Sequence, residues 1–461
     1  MSSGLPVVVI GAGPVGLAAA AHLTRYRQPF VVLEAGEAAG AAVRQWGHVR
    51  TFSPWRYMID RAAADLLEAD GWTPPDSDSL PTGAELVDRY VAPLARHASI
   101  APHVRYGARV IAVGRKDFDK VRTKGRDQQP FEIRVESGDS IEARAVIDAS
   151  GTWQRPNPAG SGGIAAIGEI QNPDRVAYGI PDVLGRDRDR YDGRAVLVVG
   201  SGHSAFNVIL DLLRLADVSP ATRIVWAMRR ESLDTVWGGG GADALEARGE
   251  LGQRAKRAVE SGRIRVITPY RIRSISGGET LRVTGDVRGI EESITVDQVI
   301  VSTGFRPDLQ MLSEVRLGLD PWLECASALG PLIDPNEHSC GTVRPHGARE
   351  LAHPEKDFFI VGMKSYGRAP TFLLATGYEQ VRSVVAMLSG DIAAAERVEL
   401  ELPATGVCST TTESSSCCGG PAPAGVEACC TDDAVAKAAG KDGCGCNDEP
   451  ALLQIGVRSK K

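Results

Sequence analysis

Pro6-Val7-Val8-Val9-Ile10-Gly11-Ala12-Gly13-Pro14-Val15-Gly16-Leu17-Ala18-Ala19-Ala20-Ala21-His22-Leu23 is the stretch that decides the fold. Its opening apolar run suits a parallel strand buried on both faces, and the alanine-rich run after Gly16 is a strong helix former. Between them, each glycine has a physical task. Gly11 permits the tight strand-to-helix turn, Gly13 lets backbone approach a pyrophosphate, and Gly16 lets the helix pack against the strand. The helix start at Pro14 and Val15 then presents free N–H groups and a favourable dipole to an anion. A second apolar run, Phe30-Val31-Val32-Leu33, ends in Glu34, an acid about 20 residues past the turn, where ribose hydroxyls are recognised. A glycine-rich turn that merely packed a helix would not require Glu34. The stretch predicts a dinucleotide site.

Moving outward, the pattern recurs. Ala195-Val196-Leu197-Val198-Val199 leads into Gly200-Ser201-Gly202-His203-Ser204-Ala205, with alanine in place of the third glycine, a substitution the fingerprint accommodates. The following apolar run, Ile224 to Met228, ends in Arg229-Arg230 and not in an acid. Guanidinium groups there hold a 2′-phosphate that a carboxylate would repel, so NADPH is expected over NADH. His203, at a helix start, reads as a neighbour of phosphates before a proton carrier. Ala145 to Thr152 and Val299 to Phe305, the latter including Thr303 and Gly304, look alike: apolar strand, small residue, glycine. They read as two crossings between one nucleotide domain and another inserted within it. Arg105 to Arg144 reads as a small β excursion, Phe358 to Gly362 as a further strand and glycine turn, and Thr371 to Leu388 as an apolar-striped helix.

At 461 residues, with 43% hydrophobic and 24% charged residues, the chain has room for two or three ordinary domains. A net charge of −6 supplies no basic excess for nucleic acid. The apolar start lacks a basic flank and is broken by glycines and a proline, so it predicts neither a signal peptide nor a membrane span, and a cytoplasmic location is expected. Seven of the nine cysteines fall in the last stretch: Cys408, Cys417, Cys418, Cys429, Cys430, Cys444 and Cys446. In a reducing compartment that points to soft-metal or redox chemistry before a disulfide scaffold.

Over about residues 5–395 the chain resembles flavoprotein monooxygenases with two Rossmann domains, the group of flavin-containing and N-hydroxylating enzymes. The residues that carry it are Gly11–Gly16 with Glu34, the block from Trp46 through Arg50 to Trp55, Asp148–Thr152, Gly200–Ala205 and Ser302–Phe305. The resemblance implies FAD at the first site and NADPH at the second, with one oxygen atom passing to a soft nucleophile. It implies an α/β fold: an FAD domain in two parts (1–155 and 304–400), an inserted NADPH domain (156–303) and a disordered Cys-rich tail (401–461). Arg50, Trp55, Lys364, Tyr366 and Arg368 become the flavin-side candidates, with core packing the competing reading for Trp55. A Baeyer–Villiger fingerprint is missing, since Pro156 to Pro181 holds neither histidine nor tryptophan. The blocks Tyr178–Leu184 and Gly362–Pro370, with the cysteine-rich end, are similar to a flavoprotein group associated with actinobacterial arsenic-resistance genes.

Two rival readings stay open. A disulfide reductase needs a close redox pair; Cys325 and Cys340 stand too far apart and read as ordinary buried thiols, but Cys417-Cys418 and Cys429-Cys430 could serve as a mobile arm. Alternatively the tail, with Cys417, Cys418, Cys429, Cys430, Cys444 and Cys446 as ligands, binds a metalloid without catalysis or docks a metalloid chaperone. Clustered thiolates suit a soft, pyramidal ion such as trivalent arsenic better than zinc. The oligomeric state is not legible.

Overall fold

A computed structural model describes residues 4–234, 236–237, 246–336, 345–370 and 372–400. The expected tail and its cysteines, with Cys340 and Thr371, lie outside the described residues.

Two five-stranded parallel sheets organise the chain. In the first, the central strand Val7–Ile10 lies between Phe30–Leu33 and Ala145–Asp148, with Val104–Arg105 and Phe358–Ile360 at the edges. In the second, Ala195–Val199 lies between Arg223–Ala227 and Gln298–Val301, with Arg265–Ile267 and Val176–Tyr178 outside them. Both central strands are buried throughout, as strands covered on both faces require. The strand after each crossover pairs with its central strand in the same way: Ile10 faces Asp148, and Val199 faces Val301.

Each central strand feeds a helix, Pro14–Arg25 in the first half and His203–Val218 in the second. Ala18 to Ala21 are all fully buried. Side chains this small let the helix lie close to its sheet and to the helix Leu374–Leu388, against which it packs. That last helix begins later than the apolar stripe suggested. Leu373 before it is extended, and helical geometry starts at the next residue.

The β excursion is a three-stranded antiparallel sheet of Val110–Arg115, Phe131–Val135 and Ser140–Ala143. A buried triad fastens it to the later chain: Arg115 Nε donates to Glu355 Oε1 at 2.8 Å and Arg126 Nη2 to Glu355 Oε2 at 2.7 Å. A second antiparallel sheet, Arg271–Ser276, Leu281–Val287 and Ile290–Val296, lies within the second half and was not anticipated. Its turns were marked by Gly277-Gly278 and Arg288-Gly289.

Candidate active site between two glycine turns

Gly11 has φ +102°, and a Cβ there would meet the Ala149 carbonyl oxygen at 2.8 Å. Gly200 has φ +131°, and its Cβ would meet the Ser302 oxygen at 2.3 Å. Both turns are thus pressed against the backbone that follows the crossover strand, and neither position accepts a side chain. Gly16 is tighter still: its Cβ would fall 1.9 Å from the Gly11 oxygen. Gly13 and Gly202 differ in kind. Each precedes its helix in extended conformation without a side-chain cap, and a Cβ on either would meet nothing within 4 Å. The open space thus lies in front of uncapped helix starts, the cradle that a pyrophosphate needs. On this geometry the residues present fit a dinucleotide at both turns.

The groups around the turns differ in charge. Glu34 Oε2 accepts from the Ala12 amide at 2.7 Å and Oε1 from the Gly36 amide at 2.8 Å, so the predicted ribose acid also braces its own turn. At the second turn, Arg230 Nε lies 3.3 Å from Ser201 Oγ, and Arg229 Nη1 donates to the Ser161 carbonyl at 3.2 Å. Phe52, from the block that contains Trp46, places its ring 5.5 Å from that of His203. Trp46 itself covers Gly83, where a Cβ would strike its ring at 2.7 Å. Thr303 Oγ1 donates to the Asn157 carbonyl at 2.8 Å, and the Asn157 amide donates to Gly304. These bonds tie Asn157 to the glycine turn that follows Val301. Ser204 sits half-buried at the second helix start.

The five flavin-side candidates do not form one cluster. Lys364 is buried, and its Nζ lies 2.7 Å from Asp148 Oδ2 and 3.1 Å from Ser150 Oγ. Its charge is balanced as half of a buried ion pair, of which breaking one side costs about 3–5 kcal/mol. Trp55 is buried in the first core with Arg89 5.7 Å from its ring, which is the packing reading. Arg50 is exposed, donates to the Leu80 carbonyl and stands 3.9 Å from Glu85. Tyr366 is buried edge-on to Phe372 at 5.2 Å, and burial pushes its hydroxyl pKa well above the ordinary value. Arg368 is exposed, 3.9 Å from Glu324. No hydrogen bond, ion pair or ring contact joins Arg50 or Trp55 to the other three among the described residues.

Sequence reasoning missed two supports. Trp226 Nε1 donates to the Gly200 carbonyl at 2.7 Å, locking the second turn. Gln380 Oε1 accepts from the Gly362 amide at 2.7 Å, tying the final glycine turn to the last long helix. Trp226 stood in the quoted strand, but nothing in a strand pattern says where an indole N–H points. Cys325 is buried, and burial, with Asp320 nearby, pushes its thiol up to about 12. Among the described residues there is no group of three metal-ligating side chains and no helix long and apolar enough to cross a membrane.

A family model described as pyridine nucleotide-disulphide oxidoreductase matches residues 8–328. The chain is 26% identical to a ferredoxin–NADP reductase of Rhodospirillum rubrum, over 74% of this chain and 81% of that protein. It is 27% identical to the indole-3-pyruvate monooxygenase YUCCA8 of Oryza sativa subsp. indica, over 44% of each. Its fold is similar to that of the bacillithiol disulfide reductase Bdr from Bacillus cereus, with a TM-score of 0.61 at 18% identity, covering 84% of this chain and 99% of that one.

Proposed function

The chain belongs to the pyridine nucleotide-disulphide oxidoreductase family and is an FAD- and NADPH-dependent oxidoreductase, and from that premise we propose that it is a monooxygenase acting on a soft nucleophile. Bound FAD supplies hydride acceptance and the activation of oxygen. The chain's own residues divide the remaining work. Gly11, Gly13 and Gly16, with Glu34 bracing the turn, hold the flavin nucleotide; Arg229 and Arg230 hold the phosphate that distinguishes NADPH. Lys364 and Asp148 pair at the strand end beside the first turn and hold it in place. The observation that carries the reading is Cys325. A disulfide reductase works through thiolates, whereas burial holds the Cys325 thiol protonated. The clustered tail cysteines favour trivalent arsenic as the soft substrate: As(OH)3, O2, NADPH and H+ would give arsenate, NADP+ and water.

A second reading is electron transfer from NADPH to a one-electron acceptor, favoured by the ferredoxin–NADP reductase likeness across most of both chains. One experiment separates the readings. Purified holoprotein is mixed with NADPH, with and without As(III), while oxygen uptake, hydrogen peroxide and arsenate are followed; parallel arms offer ferredoxin or a disulfide under argon. Oxygen uptake matched by arsenate supports the proposal. Rapid anaerobic reduction of ferredoxin, or of a disulfide in a Cys417- and Cys418-dependent manner, reverses it. Oxygen uptake stimulated by other soft nucleophiles but not by As(III) removes arsenic alone.

A further inference from the structure

A cavity of about 860 Å³ lies at the end of the helix Pro14–Arg25 remote from its glycine turn. That volume falls in the range of small-molecule sites, roughly 300–1,000 Å³. The helix rises 1.5 Å per residue, so the wall made by His22, Arg25 and Tyr26 stands roughly 15 Å from Gly13. The cavity is therefore separate from the first nucleotide site. Its other walls are the segment from Arg56 to Ala62, the face of Leu374–Leu388 that carries Tyr378 and Arg382, and the run that follows that helix, with Asp391, Arg397 and Glu399.

The charges in this wall are unevenly partnered. All four carboxylates are engaged. Asp60 meets His22 Nε2 at 3.1 Å and caps Ala63; Asp391 accepts from the Tyr26 hydroxyl at 3.0 Å. Glu379 takes both Nε and Nη2 of Arg382, and Glu399 stands 3.5 Å from Arg397. Arg56 pairs with Asp78. Arg25 and Arg61 are left, exposed, with no hydrogen bond or ion pair among the described residues. Arg25 at least suits its position in the last turn of its own helix. Arg61 does not. It is the first residue of the helix Arg61–Ala69, where a positive side chain meets the positive end of the dipole; the N-cap Asp60 offsets part of that field but makes no ion pair with Arg61.

We propose that this cavity binds a small organic oxyanion, its carboxylate or phosphate taken by Arg25 and Arg61 and its apolar body resting on Tyr57 and Ile59. The proposal is independent of which acceptor the flavin serves. The test is calorimetric titration of the holoprotein, with NADP+ saturating the second nucleotide site, using inorganic phosphate, phenyl phosphate and citrate as probes. Binding of at least one is expected, with affinity falling about tenfold or more in R25A/R61A, while NADPH oxidation without added anion stays at the wild-type rate. Selective binding of the phosphate probes would identify a phosphorylated ligand, and selective binding of citrate a carboxylate one. No binding of any probe up to roughly 10 mM, or equal affinity in the double variant, would overturn the proposal. Both arginines are exposed, so melting temperatures should match and exclude misfolding as the cause.

Discussion

The two glycine turns are near copies in backbone and opposites in detail. In both, a positive-φ glycine is jammed against the strand that returns from the crossover, and an open glycine precedes the helix. They part at the third position. The first turn needs Gly16 because the Gly11 carbonyl occupies the space where a Cβ would go. The second holds Ala205, fully buried, and its Gly200 carbonyl is engaged by the Trp226 indole. They part again in charge, Glu34 on one side and Arg229-Arg230 on the other. One supersecondary plan thus occurs twice, and small local choices tell the two copies apart.

The largest expected effect comes from exchanging those third positions. Gly16→Ala should cost about 4 kcal/mol or more, since backbone must move to admit the methyl, and the protein should be lost to the insoluble fraction or purify without flavin. The reciprocal Ala205→Gly should cost only about 1 kcal/mol, from added chain entropy and a small void. Urea midpoints and flavin absorbance measure both; equal losses would mean that the packing distinction between the turns is not energetic.

A smaller and more selective pair of changes targets the open glycines. Both have negative φ, and no atom stands where a Cβ would project, so Gly13→Val and Gly202→Val should fold. Gly13→Val should then yield colourless protein that still binds NADP+. Gly202→Val should stay yellow but bind NADPH at least about a hundredfold more weakly, roughly 2.7 kcal/mol. Absorbance at purification and nucleotide titration are the readouts. A yellow Gly13→Val protein would remove the first turn as the flavin site.

The glycine turns, the strands before them and the β excursion were legible because strand periodicity and glycine spacing are local signals. The sheet within residues 271–296 escaped, although Ile272 and Ile275, Leu281 and Val283, and Ile294 and Val296 form its buried face. Arginines and serines interleave these residues, and a bulge between Ile272 and Ser274 shifts the alternation that would have marked the strand. Lys364 shows the other limit. A charged residue after a strand reads as a site residue until its partner is known, and Asp148 lies 216 positions away. Pairings of that range are set by the tertiary fold, and one sequence carries no local trace of them. The same holds for Glu355, whose two arginines come from the β excursion.

The smallest effect should come from the arginines that invert the charge of the second turn. Arg229 and Arg230 are both exposed; Arg229 donates to the Ser161 carbonyl, and Arg230 Nε lies near Ser201 Oγ. These two contacts go to uncharged acceptors at 3.2–3.3 Å, and a doubly charged phosphate is the stronger partner for a guanidinium. A charge-assisted bond to the 2′-phosphate contributes about 1.5 kcal/mol or more. R229A/R230A should therefore raise the KM for NADPH about tenfold or more and leave kcat and the KM for NADH nearly unchanged. The effect should shrink as salt rises, because exposed charges are screened over about 10 Å at 0.1 M. Steady-state kinetics with both coenzymes at two ionic strengths checks this. An equal loss for NADPH and NADH would show that the arginines brace the turn, as Glu34 braces the first, and the difference in charge between the two sites would then have no part in choosing the coenzyme.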